Sequence, residues 1–181
     1  LARMRQQRQA VHSRPGQVFG TGPARRGQQI DVASVHDRTQ ALSTWLLDRM
    51  ELLRHANGSP LVHVLGPWEQ IDRGATIAFV LTDPSGRELA DRRVEQMATA
   101  RGISLRTGCF CNPGAGETAR NVSAEELIPF LDAESSSGEP VSICEVDEAF
   151  RARRQVGVSA LRVSLGMSSN AADAAALVDL L

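Results

Sequence analysis

A chain of 181 residues, 42% hydrophobic and 23% charged, can bury one real core and has no room for two large domains. No run approaches the roughly 18 uninterrupted apolar residues of a membrane span, and the N-terminus has no signal-type apolar segment, so a soluble, cytoplasmic protein is expected. The net charge of −1 hides an asymmetry: residues 1–30 hold six arginines (Arg3, Arg5, Arg8, Arg14, Arg25, Arg26) and no acid, which leaves −7 on residues 31–181.

Two omissions restrict the chemistry. All 20 basic residues are arginine, and arginine stays charged where a reaction needs a free amine, so no side chain here can form a Schiff base. Tyrosine is absent as well. Three cysteines, an odd number, fit a reducing compartment better than a disulfide framework. The arginine-rich residues 1–30 suit an arm for nucleic acid or an anionic membrane, or a disordered leader foreign to the fold. Phe19 as its only aromatic and the lack of any helical or strand period favour the leader. A first residue of Leu1 suggests that the sequence is a fragment.

From Asp31 onward the pattern is that of a folded chain. Val32, Val35, Leu42, Trp45, Leu46, Met50 and Leu53 recur at helical spacing, with Asp31 as N-cap and Asn57-Gly58 as stop. Residues 61–65 form a short apolar strand ended by Gly66-Pro67. A second strand, Ala75 to Leu81, is apolar almost throughout and therefore central, and Asp83-Pro84-Ser85-Gly86 is a turn. Glu88 to Arg101 reads as a helix burying Leu89, Val94 and Met97 or Ala98, with Gly102 as stop. Ile103 to Arg106 is a strand leading into a loop of Gly108, Cys109, Cys111, Pro113, Gly114 and Gly116. Ser123 and Glu126 form a capping box for a helix from Ala124 to Leu131, and residues 132–140 are a polar loop. A helix from Glu145 to Arg154, a strand from Ala160 to Leu165 and a final helix capped by Asn170 complete an α+β sandwich, its sheet mixed or antiparallel with helices packed on it.

The loop around Cys109 and Cys111 carries the candidate chemistry. A nucleophilic thiolate needs exposure and a positive or hydrogen-bonding environment, which Arg106 and the loop's N–H groups supply. The competing reading is a pair of buried structural cysteines, against which the Gly and Pro content argues. A zinc site is disfavoured by the single residue between the two cysteines and the lack of a second ligand pair, and Cys144 reads as a core residue. The histidines are scattered and receive no role. Arg162 lies in an otherwise apolar strand, where a charge needs an anionic partner, either a structural carboxylate or a substrate gripped in bidentate fashion.

The run from Arg106 to Glu117 (RTGCFCNPGAGE) resembles the signature of molybdenum cofactor sulfurases, within the domain they share with class V aminotransferases and cysteine desulfurases. Residues 53–67, 74–88 and 161–173 agree in character, so the resemblance covers residues 31–181. It implies the small C-terminal α+β domain of a pyridoxal-phosphate enzyme of fold type I, whose large domain holds the cofactor and its lysine. The implied reaction takes sulfur from L-cysteine onto a protein cysteine as a persulfide and passes it to the molybdenum cofactor. In that mapping Cys111 carries the persulfide, Arg162 grips the substrate α-carboxylate, and Arg106 is the second substrate-binding candidate.

Three departures modify the expectation. Gly116 stands where many sulfurases have a third cysteine, the chain has no lysine for pyridoxal phosphate, and residues 1–30 do not resemble the sequence that should precede the domain. A truncated or frame-disrupted gene is the expected origin, and the chain alone is expected to be inactive until a partner bearing pyridoxal phosphate or the missing domain is supplied; a homo-oligomer or a full-length pyridoxal-phosphate enzyme is the possible partner. The alternatives are a non-catalytic sulfur carrier or dimerisation module and, last, a nucleic-acid binder acting through the arm.

Overall fold

The computed structural model describes residues 31–67, 73–108, 113–135 and 143–181. Helix α1 spans Val32–Leu52, and its N-cap is Asp31, whose side chain accepts from the Ser34 N–H at 2.7 Å. Leu42, Leu46 and Met50, four residues apart, lie on one face and are fully buried. The expected stop at Asn57-Gly58 is too late. Leu53 ends the helix by donating to the Met50 carbonyl, and the chain then folds back so that Leu61 donates to Leu53 at 3.1 Å. Asn57-Gly58 sits inside that reversal, with Gly58 at φ +84°, a left-handed geometry that glycine adopts without steric cost.

Strands β1 (Val62–Leu65), β2 (Thr76–Leu81), β3 (Arg106–Gly108) and β4 (Ala160–Ser164) form one sheet in the order β1-β2-β4-β3. Every pairing is antiparallel. The apolar run of β2 is interior, as its composition requires. β3 begins later than the sequence suggests: the Ile103 N–H bonds to the Ala98 carbonyl, closing the preceding helix, and pairing with β4 starts only at Arg106.

That helix, α2 (Asp91–Ala100), also starts later than expected. After the Asp83–Gly86 turn, residues 87–89 run back along the end of β2, with Thr82 bridged to Glu88 and Leu89 donating to Leu81 at 2.8 Å. Val94 and Ala98 are buried, so of the alternatives Met97 and Ala98 it is Ala98 that faces the core, while Leu89, expected on the same face, is exposed. Helix α3 (Pro113–Arg120) occupies a stretch that reads as loop, because proline at a first helical position loses only an N–H that has no helical partner there. The helix from Ser123's capping box, α4 (Ala124–Ser135), runs past Pro129. Helix α5 spans Ile143–Arg154, two residues longer at its start than expected, and α6 spans Ala171–Leu180 behind a complete Asn170–Asp173 capping box.

One face of the sheet supplies Val62, Ile77, Phe79, Leu81, Leu161 and Val163 to the main core, which α1, α2 and α6 cover with Leu42, Leu46, Met50, Val94, Ala98, Leu177 and Leu180. The opposite face, by alternation, carries Thr76, Ala78, Arg106, Arg162 and Ser164. Among the described residues no helix is long and apolar enough to cross a membrane.

Candidate functional site

Arg162 stands at the middle of β4, with Ala78 of β2 paired on one side and Arg106 of β3 on the other. Directly opposed residues of an antiparallel pair project from the same face, so the two candidate substrate-binding arginines are cross-strand neighbours. Arg106 is exposed and Arg162 half-buried. Thr76 and Ser164 share their face, with hydroxyls 3.2 Å apart. Like charges side by side repel, and an anion bound between them relieves that repulsion while accepting from both guanidinium forks. The small Ala78 on the other flank takes little of the space.

β3 leads from Arg106 straight toward the cysteines. Its last residue, Gly108, pairs with Ala160 and has φ +110°, a conformation that a side chain would strain. Cys109 and Cys111 lie outside the described residues, as does the side chain of Cys144. The chain is described again from Pro113, and α3 ends at Arg120, whose Nε donates to the Gly157 carbonyl at 3.0 Å. Both flanks of the stretch 109–112 are thus tied to residues 157–160, the segment that feeds β4 and Arg162.

The tie is ionic and buried. Arg120 pairs with Glu88, their side chains only 3% and 8% exposed. Arg151 of α5 reaches the same Glu88 oxygen at 3.3 Å and Asp147 at 2.7 Å. Glu88 also accepts from the Gly157 N–H at 2.9 Å, and Asp147 from the N–H groups of Val158 and Ser159 at 2.6 and 2.9 Å. Five residues that the sequence reading passed over (Glu88, Arg120, Asp147, Arg151 and Gly157) therefore fix the frame of the site. Only Asp147 and Arg151, four apart on one helix, carry a local signal of their pairing.

Gly157 is required by close approach. A Cβ there would come within 2.7 Å of the Asp147 carboxylate and of the Arg151 guanidinium carbon. Gly157→Ala is expected to cost about 1–3 kcal/mol, as overpacking typically does, measured by urea unfolding. The same cluster makes the fold acid-sensitive. Burial opposes ionisation of Asp147, but the Arg151 hydrogen bond, the Ser159 N–H, the Arg151 charge and the Val158 N–H together outweigh it and lower its pKa. A carboxylate depressed on folding stabilises the native state above its unfolded pKa of about 4, and that contribution is lost as pH falls through the folded value. The urea midpoint should drop as pH falls below about 4, with a shallower drop in Asp147→Asn.

No family model matches the chain. The cysteine-bearing run from Arg106 to Glu117 resembles the signature of a sulfurase-type domain, and the relatives agree. The chain is 32% identical over 163 residues to the molybdenum cofactor sulfurase of Aspergillus niger, which is 87% of this chain and 18% of that protein. It is 34% identical over 157 residues to the one from Arabidopsis thaliana, covering 84% of this chain and 18% of that protein. For the tomato enzyme (Solanum lycopersicum) the figures are 30% over 150 residues, 83% and 17%. The chain belongs to the molybdenum cofactor sulfurase family and spans less than a fifth of the length of these relatives, consistent with a C-terminal portion.

Proposed function

We propose that residues 31–181 act as the C-terminal, class V aminotransferase-like part of a sulfur-transfer enzyme, in which Cys111 accepts sulfur as a persulfide and hands it to the molybdenum cofactor. The observation that carries this reading is the cross-strand pairing of Arg106 with Arg162 on the strands that frame the cysteine stretch. Two adjacent guanidinium groups give β3 a positive field that favours a thiolate in the stretch it runs into, which holds Cys111, and they suit the α-carboxylate of L-cysteine where the cofactor-bearing domain presents it.

Pyridoxal phosphate, the cofactor that the resemblance implies, does not fit this chain as a covalently held group, because no lysine is present to bind it. In this reading the sulfur arrives from whatever carries the cofactor, a lysine-bearing large domain or a separate desulfurase. The Cys111 thiolate attacks the outer sulfur of the donor's persulfide; one S–S bond forms, the donor's S–S bond breaks, and the donor leaves as a thiolate. Nothing is oxidised or reduced overall, so no further reagent is needed. The residues of this chain contribute the nucleophile, the positive field that favours its thiolate, and the frame that fixes both.

The test is sulfur transfer from radiolabelled L-cysteine in the presence of an active cysteine desulfurase. The chain should acquire label that dithiothreitol removes, and should acquire none from L-cysteine and pyridoxal phosphate alone. Absence of label while the desulfurase serves a known acceptor would sink the proposal. Labelling without the desulfurase would contradict the need for a second polypeptide.

A further inference from the structure

β3 is an edge strand, and its outer side opens onto a cleft of about 550 Å³ between α2 and α5. Asp91, Glu95 and Glu148 line it from the two helices, with Thr107 and Gly108 of β3 between. None of these three carboxylates has an ion-pair partner among the described residues; Glu95 only accepts from the Thr107 hydroxyl at 3.2 Å. Of the two lining arginines, Arg151 is already committed to Asp147 and Glu88, which leaves Arg92 as the one opposing charge in the described lining. Acidic walls beside a strand edge that has no partner strand among the described residues are a receptive surface for a basic polypeptide segment.

We propose that this cleft receives the arginine-rich residues 1–30 of the same chain. The charges are complementary. That segment carries six arginines and no acid, and residues 31–181 carry −7. Tethering raises its effective concentration at the cleft above that of any free basic peptide. Reach is no obstacle, since thirty residues extend to about 100 Å against a radius of gyration of about 15 Å for a 150-residue body. The arm then neutralises the cleft carboxylates and lies against the strand that leads to Cys109. The inference stands on charge and topology, and does not depend on the sulfur chemistry.

The test places a photo-crosslinking amino acid at Ala152, on the cleft wall, in the full chain, with His63 on the opposite edge strand as the control position. In dilute protein at low salt, Ala152 should crosslink within one chain to peptides from residues 1–30, and His63 should not. Capture should fall several-fold in 1 M NaCl, where the Debye length is about 3 Å. It should fall likewise in the triple variant Asp91→Asn, Glu95→Gln, Glu148→Gln, with circular dichroism confirming that the variant is folded. Capture elsewhere in the chain, equal capture from His63, or capture of a second chain's arm would each overturn the proposal. So would capture indifferent to both salt and the triple variant.

Discussion

Glu88→Ala should destabilise the protein by about 3–5 kcal/mol, the usual result of removing one member of a buried ion pair. Arg120 is 3% exposed and among the described residues would keep only the Gly157 carbonyl as partner, while Gly157 would lose the acceptor of its N–H. Arg151 would retain Asp147. The loss is therefore concentrated on the contact between α3 and the segment feeding β4. Comparison with the surface pair Arg87–Asp83 sets the scale: Arg87 is 65% exposed, and Arg87→Ala should cost below about 1 kcal/mol. Urea unfolding of the two variants side by side checks both figures. Equal, small losses would show that the buried cluster is not what holds α3 in place.

Cys111→Ala should abolish transfer of sulfur to the chain, whereas Cys109→Ala should retain it. The two cysteines stand two residues apart in a short stretch and share similar surroundings in the sequence, so composition does not separate them. The mapping from the sulfurase signature does, by assigning the persulfide to the second. Arg162→Ala offers a control of a different kind. If the arginine pair serves the α-carboxylate of L-cysteine, its removal should leave transfer from a donor protein's persulfide largely intact, because no amino-acid carboxylate takes part in that step. Transfer lost in Cys109→Ala and kept in Cys111→Ala would reverse the assignment.

Features decided within a few residues were legible in the sequence. The caps at Asp31, Ser123 and Asn170 are made by side chains reaching the backbone two or three positions on, and all three stand as expected. The interior place of β2 followed from its nearly continuous apolar run. What escaped is what depends on register and on distant partners. Nothing local shows that Arg106 faces Arg162, since the pairing is set by where β3 can first reach β4 once the Ile103 N–H is taken by α2. Glu88 looked like the opening of a helix, but its carboxylate belongs to a buried cluster assembled from α3, α5 and the strand entry. Pro113 and the glycines after it read as loop because glycine and proline usually interrupt helices, yet the first turn accommodates them. The Gly and Pro content around Cys109 and Cys111 marked that loop from the residues alone, whereas the choice of Cys111 over Cys109 rests on the resemblance.

In the proposed reaction, sulfur comes to rest on Cys111. Peptide mass spectrometry of the wild-type chain, after incubation with an active desulfurase and L-cysteine and alkylation without reductant, locates it directly. Cys111 should carry one additional sulfur atom, and Cys109 and Cys144 none. A chain in which Cys109 or Cys144 carries the sulfur, or in which no cysteine gains any, would contradict it.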